Sequence, residues 1–384
     1  MGNQFIMPGQ IVTGEDALLN SGDLIKELGK KALIITDSMM VKLGNCSKLE
    51  NLLSKNDIPY VVYEGINNEP TEEMVLEGLS LYQNENCDFL ISLGGGSPID
   101  AMKAIGALAT NGGRTSYYMG KEITKKTPPT IAIPTTAGTG SEATQFTIIT
   151  DTQKDIKMLL KGSVLMPNLA IIDPQFTVTV PDFITSATGL DALTHAIEAY
   201  TSKKAQSLSD TFAISAIKRI FKYLLIAYKD GKNLEAREEM SIAALEAGIA
   251  FNNASVTIIH GLSRPIGALF HVPHGLSNAI LLEEGFKFAL DGAYDRFATL
   301  GREIGVATKE DSDKIASEKF LDAVIKLVQD LEIPNLEKQG IDKSHFLSQV
   351  DKMAEDAMAS GSPSNTIKEV NAQNLKDIYK KLWA

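Results

Sequence analysis

The sequence predicts an α/β domain over residues 1–181 followed by an all-helical domain over 182–384. Three observations predict this. In the first half, short and wholly apolar runs alternate with helical patterns, as in a parallel sheet covered on both faces. The segments after two of those runs are rich in glycine and hydroxyl residues, and doubly wound sheets bind ligands at the carboxyl ends of their strands. Beyond Pro181-Asp182 helical periodicity is almost unbroken, and three of the five histidines fall within the fifteen residues 260–274.

A chain of 384 residues exceeds one ordinary core, which makes two domains the first expectation. Hydrophobic and charged contents of 44% and 22% are those of a soluble globular protein. A net charge of −11 argues against a nucleic-acid partner, because phosphate binding needs a basic face. No apolar run reaches the length of a membrane span, so no membrane is expected. The opening MGNQFIMPGQIVTG lacks the basic and apolar regions of a signal peptide, and Ile6 breaks the myristoylation pattern. Cys46 and Cys87 stand in unrelated contexts and suggest no disulfide. A cytoplasmic protein is expected.

Taken in order, an extended piece at Gln10–Thr13 precedes a buried strand at 32–36 (ALIIT) and a helix at 48–56. Tyr60–Tyr63 (YVVY) is a second strand, and residues 71–84 form a helix opened by Thr71-Glu72-Glu73. FLISL at 89–93 and TIAIP at Thr130–Pro134 are further strands, with a helix at 102–110 between them. Strands at 145–150 and 170–173, flanking Lys157, finish this Rossmann-like half. Helices then follow at 184–202, 207–228, 234–252, 276–290, 293–304, 311–331, 344–358 and 374–382. The two halves are expected to meet at a cleft.

Three segments after strands carry candidate chemistry. Asp37 follows ALIIT, where a carboxylate can accept from ribose hydroxyls and repel a 2′-phosphate, or simply serve a turn. Gly94-Gly95-Gly96-Ser97-Pro98-Ile99-Asp100 follows FLISL. Its glycines let backbone approach a pyrophosphate, Ser97 and Pro98 suit a helix start, and Asp100 falls where a capping residue belongs. A structural turn is the competing reading, since Ile99 breaks the G-x-G-x-x-G pattern. After TIAIP, residues 135–144 hold five hydroxyls and two glycines, which can wrap a polar ligand or form a flexible loop.

In the helical half, Asp191 and His195 are four apart and leave one helix face, a turn apart. They could form a solvated pair, but Leu190, Leu193, Ala196 and Ile197 around them do not describe a wet face. One carboxylate with two or three of the imidazoles at 260, 271 and 274 makes a site for Fe²⁺ or Zn²⁺.

The blocks GGGSPID, PTTAGTGSE, GLDALTHAIEAY and HG-x₁₂-H, in that order, resemble the iron-containing (group III) alcohol dehydrogenases over essentially the whole chain. That is the family of lactaldehyde reductase, 1,3-propanediol dehydrogenase and butanol dehydrogenase, with the dehydroquinate synthase-like fold. The resemblance implies Asp191, His195, His260 and His274 as metal ligands. It implies nucleotide contacts at Asp37, Gly95, Gly96, Ser97, Thr135, Thr136, Thr139, Thr144, Phe146, Lys157 and Phe176, with NAD favoured by Asp37. Many members carry a histidine four residues after the third ligand. Here Arg264 stands in that place, and His271 is the candidate proton relay or Arg264 orients an acidic or polar substrate. The family pattern PNPT is altered to Asn68-Glu69-Pro70-Thr71. Implied overall are a small primary alcohol, diol or aldehyde as substrate, Fe²⁺ or Zn²⁺ with NAD as cofactors, and a homodimer or larger homo-oligomer. A lyase or cyclase of the dehydroquinate synthase type and a 4-hydroxybutyrate-like hydroxy-acid dehydrogenase are the alternatives.

Overall fold

A computed structural model describes residues 2–154 and 156–383. Their contacts divide them into two compact units, one spanning Ile6–Val180 and the other holding the remainder, including the N-terminal residues up to Phe5.

The first unit is built on strands β1 (Gln10–Thr13), β2 (Ala32–Ile35), β3 (Tyr60–Tyr63), β4 (Phe89–Gly94), β5 (Thr130–Pro134), β6 (Phe146–Asp151), β7 (Ile156–Lys161) and β8 (Leu169–Ile172). Six of them form one parallel sheet in the order β1-β8-β5-β4-β2-β3. β2, β4, β5 and β8 are buried along their whole length. Successive side chains alternate between two apolar layers: Leu33, Ile35, Leu90 and Ala132 enter one, and Ala32, Ile34, Ile91, Ile131 and Ile133 enter the other. Burial on both faces is why these strands read as continuous apolar runs. β6 and β7 leave this sheet and pair antiparallel as a separate ribbon. Lys157, expected between strands, lies within β7.

The glycine segment corrects an expectation. The helix that follows β4 runs Gly96–Asn111, its N-cap is Gly95, and no side chain caps it. Asp100 therefore lies inside the helix. Its carboxylate accepts from Ser141 Oγ at 2.7 Å and from the Ile148 amide at 2.9 Å. One turn on, the buried Lys103 ammonium donates to Ser141 O, Thr144 Oγ1 and Phe146 O at 2.6–2.8 Å, which accounts for all three of its protons. Burial presses the Lys103 pKa down to about 8, with Asp100 and Glu142 opposing it, and pushes buried Glu142 up to about 7. This helix thus staples the threonine-rich loop to the sheet through a buried charge cluster.

The second unit is helical. Asp182–Tyr200, Ser207–Lys229 and Leu234–Ala254 pack on one another, and Ile258–Phe270 and His274–Ala289 pack against the first of these and each other. By sequence, residues 260–274 are a histidine-rich stretch between helices. Most of it is helix, interrupted only by His271, Val272 and Pro273. Among the described residues, no single helix is long and apolar enough to cross a membrane.

Removing one partner from a buried charge cluster leaves the others uncompensated, at a cost of about 3–5 kcal/mol. Lys103→Met is expected to lower stability by that order in urea unfolding. An unchanged midpoint would show that the cluster is not held by the ammonium.

Candidate metal and nucleotide sites

The helix Asp182–Tyr200 is buried without a break from Gly189 to Tyr200. Asp191 and His195 therefore project into packed protein rather than solvent. His260 lies in the first turn of the next helix but two, and His274 is the first residue of the helix after that. One donor atom from each of Asp191, His195, His260 and His274 lies within 4.8 Å of the others. Asp191 Oδ1 is 3.7 Å from His260 Nε2 and 3.6 Å from His274 Nε2. Gly275 allows this approach, because a Cβ there would sit 2.6 Å from Ala187 O on the Asp191 helix. Asp191, His195 and His260 are buried, while the His274 side chain keeps 44% of its surface exposed, so the cluster opens on that side.

Electrostatics match a cation site. Burial would raise the Asp191 pKa, but His195, His274 and His260 together hold it well below the carboxylate range. Burial drives His195 down to about 3, so its ring is neutral. The ring stacks between Phe251 and His260 at 4.2 and 4.4 Å, and its Nδ1 is buried with no hydrogen-bond partner. A carboxylate and three imidazoles, one of them neutral with an unpaired buried nitrogen, suit a borderline divalent ion such as Fe²⁺ or Zn²⁺.

Two residues of this site escaped the sequence reading. Glu198 is fully buried, and its Oε2 lies 2.5 Å from His260 Nδ1. Its Oε1 accepts from Thr257 Oγ1 and from the amides of Ile259 and His260 at 2.9, 2.6 and 3.3 Å. An ionised carboxylate only accepts, so Nδ1 carries a proton toward Glu198, and Nε2 is the ring nitrogen that faces Asp191. Burial opposes ionisation of Glu198, but His260 and Thr257 more than offset it and lower its pKa. In turn Glu198 and Asp191 outweigh burial at His260 and raise it to about 9, so without a cation the ring holds a second proton, on Nε2, which a divalent ion displaces on binding. Asn278 is the second. Its Nδ2 donates to Asp191 Oδ1 at 2.6 Å and lies 3.2 and 3.3 Å from His260 Nε2 and His274 Nε2. The spacing held a signal for each: Glu198 continues the Asp191/His195 stripe at i+7, and Asn278 is i+4 from His274.

His271 is not in the four-donor group. It caps its helix with φ 55°, a left-handed conformation uncommon outside glycine, and its side chain is exposed.

In the first unit, Asp37, Gly95, Gly96 and Ser97 line one cavity of about 340 Å³ together with Asn67 and Asn68. Asp37 Oδ1 caps the helix Ser38–Lys42 by accepting from Met39 and Met40 amides at 2.9 Å, so the turn role is real and Oδ2 remains unengaged among the described residues. Thr136 and Thr139 come next to the glycines: a Cβ on Gly96 would meet Thr139 Cγ2 at 3.0 Å. Thr135 is buried beside them, its amide donating to Gly94 O at 2.9 Å. The remaining candidates are engaged elsewhere. The Thr144 hydroxyl accepts from Lys103 and donates to Ser141 O, and Phe146 O also accepts from Lys103. Exposed Lys157 pairs with Glu69 at 2.6 Å. Phe176, at 1% exposure, belongs to the apolar layer of Ile34, Ile131 and Ile171, with Lys48 over its ring.

A parallel α/β sheet in one unit and an Asp/His₃ donor cluster in the other are the components of a metal-dependent dehydrogenase. Residues 8–174 match the model of "iron-containing alcohol dehydrogenase", and 185–383 match "Fe-containing alcohol dehydrogenase family, C-terminal". An NAD-dependent methanol dehydrogenase of Bacillus methanolicus is 35% identical over 380 residues, which is 98% of this chain and 100% of that one. A crystal structure of 1,3-propanediol oxidoreductase superposes with TM-score 0.96 at 34% identity, covering 100% of both chains. Sulfoacetaldehyde reductase from Bifidobacterium kashiwanohense in complex with NAD⁺ gives 0.88 at 28% identity, covering 100% and 99%. The chain belongs to the iron-containing alcohol dehydrogenase family.

Carboxylate partners that orient a ligating histidine are worth about 10–100-fold in metal affinity. Glu198→Gln is expected to weaken Fe²⁺ or Zn²⁺ binding by that factor in a chelator competition titration. Equal affinity would show that Glu198 does not orient His260.

Proposed function

We propose that this protein interconverts a small primary alcohol or diol and its aldehyde by hydride transfer to and from NAD, with Fe²⁺, or Zn²⁺ in its place, held by Asp191, His195, His260 and His274. The observation that carries this reading is the convergence of those four donors within 4.8 Å. When bound, a divalent ion supplies Lewis acidity, which acidifies an alcohol hydroxyl and polarises an aldehyde carbonyl. The chain's own groups prepare that chemistry. Asp191 brings one negative charge, and imidazoles that ligate an ion do so in their neutral form. Glu198 fixes the His260 tautomer. The exposed side of His274 is where substrate gains access, and exposed His271 is the candidate group to pass the hydroxyl proton to water.

For the nucleotide, the reading is supported by the shared cavity of Asp37 with Gly95, Gly96 and Ser97: backbone at a helix N-terminus suits a pyrophosphate, and the Asp37 Oδ2 suits a ribose hydroxyl. Thr135, Thr136 and Thr139 flank that cavity. Thr144, Phe146, Lys157 and Phe176 are proposed as nucleotide contacts on the family resemblance alone, their side chains or carbonyls being engaged within the fold. No observation favours the lyase or cyclase alternative, and both matching family models are of iron-containing alcohol dehydrogenases. The domains are proposed to divide at residue 181, the compartment is the cytoplasm, and the assembly is a homodimer or larger homo-oligomer. Both cysteines are free and buried, which suits a reducing compartment.

The deciding assay follows NADH absorbance with protein stripped by chelator and reloaded separately with Fe²⁺ or Zn²⁺, using short alcohols and diols. Turnover that returns with one ion is expected; none with either ion overturns the reading. A second outcome concerns Asp37. Glycine keeps most of an N-cap's stability, so Asp37→Gly is expected to raise the NADP-to-NAD ratio of kcat/KM about tenfold or more. An unchanged ratio would place Asp37 away from the ribose.

A further inference from the structure

The chain has six arginines. Five have their guanidinium groups committed: Arg114 to Glu72, Arg219 to Glu239 and Glu246, Arg237 to Thr185, Arg296 to Asp210, and Arg302 to Asp313. Arg264 alone makes no hydrogen bond or ion pair among the described residues, although it is partly buried. It lies on the helix Ile258–Phe270, four residues after His260. That spacing puts its side chain on the His260 face, with Cβ atoms about 5–6 Å apart.

The nearby acid does not satisfy it. Glu198 lies close enough for its charge to oppose the burial that lowers the Arg264 pKa. Yet both Glu198 oxygens are already used, by the His260 ring and by Thr257, Ile259 and His260 of the backbone turn. A partly buried cation with five unfilled donors is costly unless something else fills them. The planar fork of a guanidinium fits the paired oxygens of a carboxylate or sulfonate.

We propose that Arg264 is an anion subsite of the catalytic centre, and that the preferred substrates are alcohols or aldehydes carrying a carboxylate or sulfonate a few carbons from the reacting carbon. This deepens the dehydrogenase reading and rests on it. In that arrangement the anion pairs with the fork while the reacting group reaches the Asp/His cluster one helical turn away. A neutral alcohol leaves the guanidinium unpaired, so it forgoes that contact in both ground and transition states.

The test compares chain-matched pairs on the full-length, metal-loaded protein with NAD: 4-hydroxybutyrate against 1-butanol, and 3-hydroxypropane-1-sulfonate against 1-propanol. The wild type is expected to favour at least one anion over its neutral partner by tenfold or more in kcat/KM, and the pair that does so identifies the headgroup. Arg264→Gln is expected to lower that preference at least tenfold, mainly through KM for the anion, with Arg264→Lys intermediate because it keeps the charge and loses the fork. Metal content measured on each variant separates this from misfolding. If the glutamine variant does not load metal, the lysine variant carries the comparison. Turnover of neutral alcohols without an anion preference, or a preference untouched by either substitution, overturns the subsite and keeps the dehydrogenase. Absence of turnover with all four compounds overturns the dehydrogenase reading and the subsite with it.

Discussion

The hydrogen bond between Glu198 and His260 is the interaction on which the rest of the helical unit's chemistry depends. Isolated, a buried carboxylate and a buried imidazole are each unfavourable inside protein. Together, at 2.5 Å, they satisfy one another and fix which ring nitrogen faces inward. The same carboxylate takes up amides at the start of the Ile258–Phe270 helix, so one side chain both caps that helix and aims its histidine. The position of His260 relative to Asp191 is consequently set by packing between helices, not by a flexible loop.

The α/β unit solves a similar problem with different groups. Its threonine-rich loop lacks large apolar side chains to anchor it, and the Gly96–Asn111 helix anchors it with a buried ammonium and carboxylate instead. The consequence is a division of labour along the loop. Ser141 and Thr144 turn inward to Lys103 and Asp100, leaving Thr136 and Thr139 against the glycine segment. Pre-organisation of this kind lowers the ordering cost when a ligand binds.

Much of this was legible from spacing and composition. Unbroken apolar runs marked the central strands because both faces of that sheet are covered. Asp191 and His195 could be paired from their i,i+4 separation, and the apolar residues between them argued correctly against a wet face. Asp100 was misread because its position after a glycine segment and a proline matches a capping pattern. The helix begins earlier, at Gly96, so the same carboxylate points into the fold. Lys103 and Glu198 carried no mark of burial in the sequence: Glu198 shares the Asp191/His195 stripe, but spacing alone does not say that a charge on it is enclosed.

By itself, the sequence determined the alternation of strands and helices, the change to an all-helical texture after Pro181, and the local pairing of Asp191 with His195. Those features depend on periodicity and on contacts within one turn, which are written in neighbouring residues. The family resemblance named His260 and His274 as partners of that pair, but tertiary structure brings the four donors together, adds Glu198 and Asn278 in support, and leaves Arg264 unmatched. Such contacts join residues as many as 87 positions apart, as Asn278 and Asp191 are. Only the packing of helix on helix brings them within reach, and the cost of burying unpaired charge then selects the partners that remain.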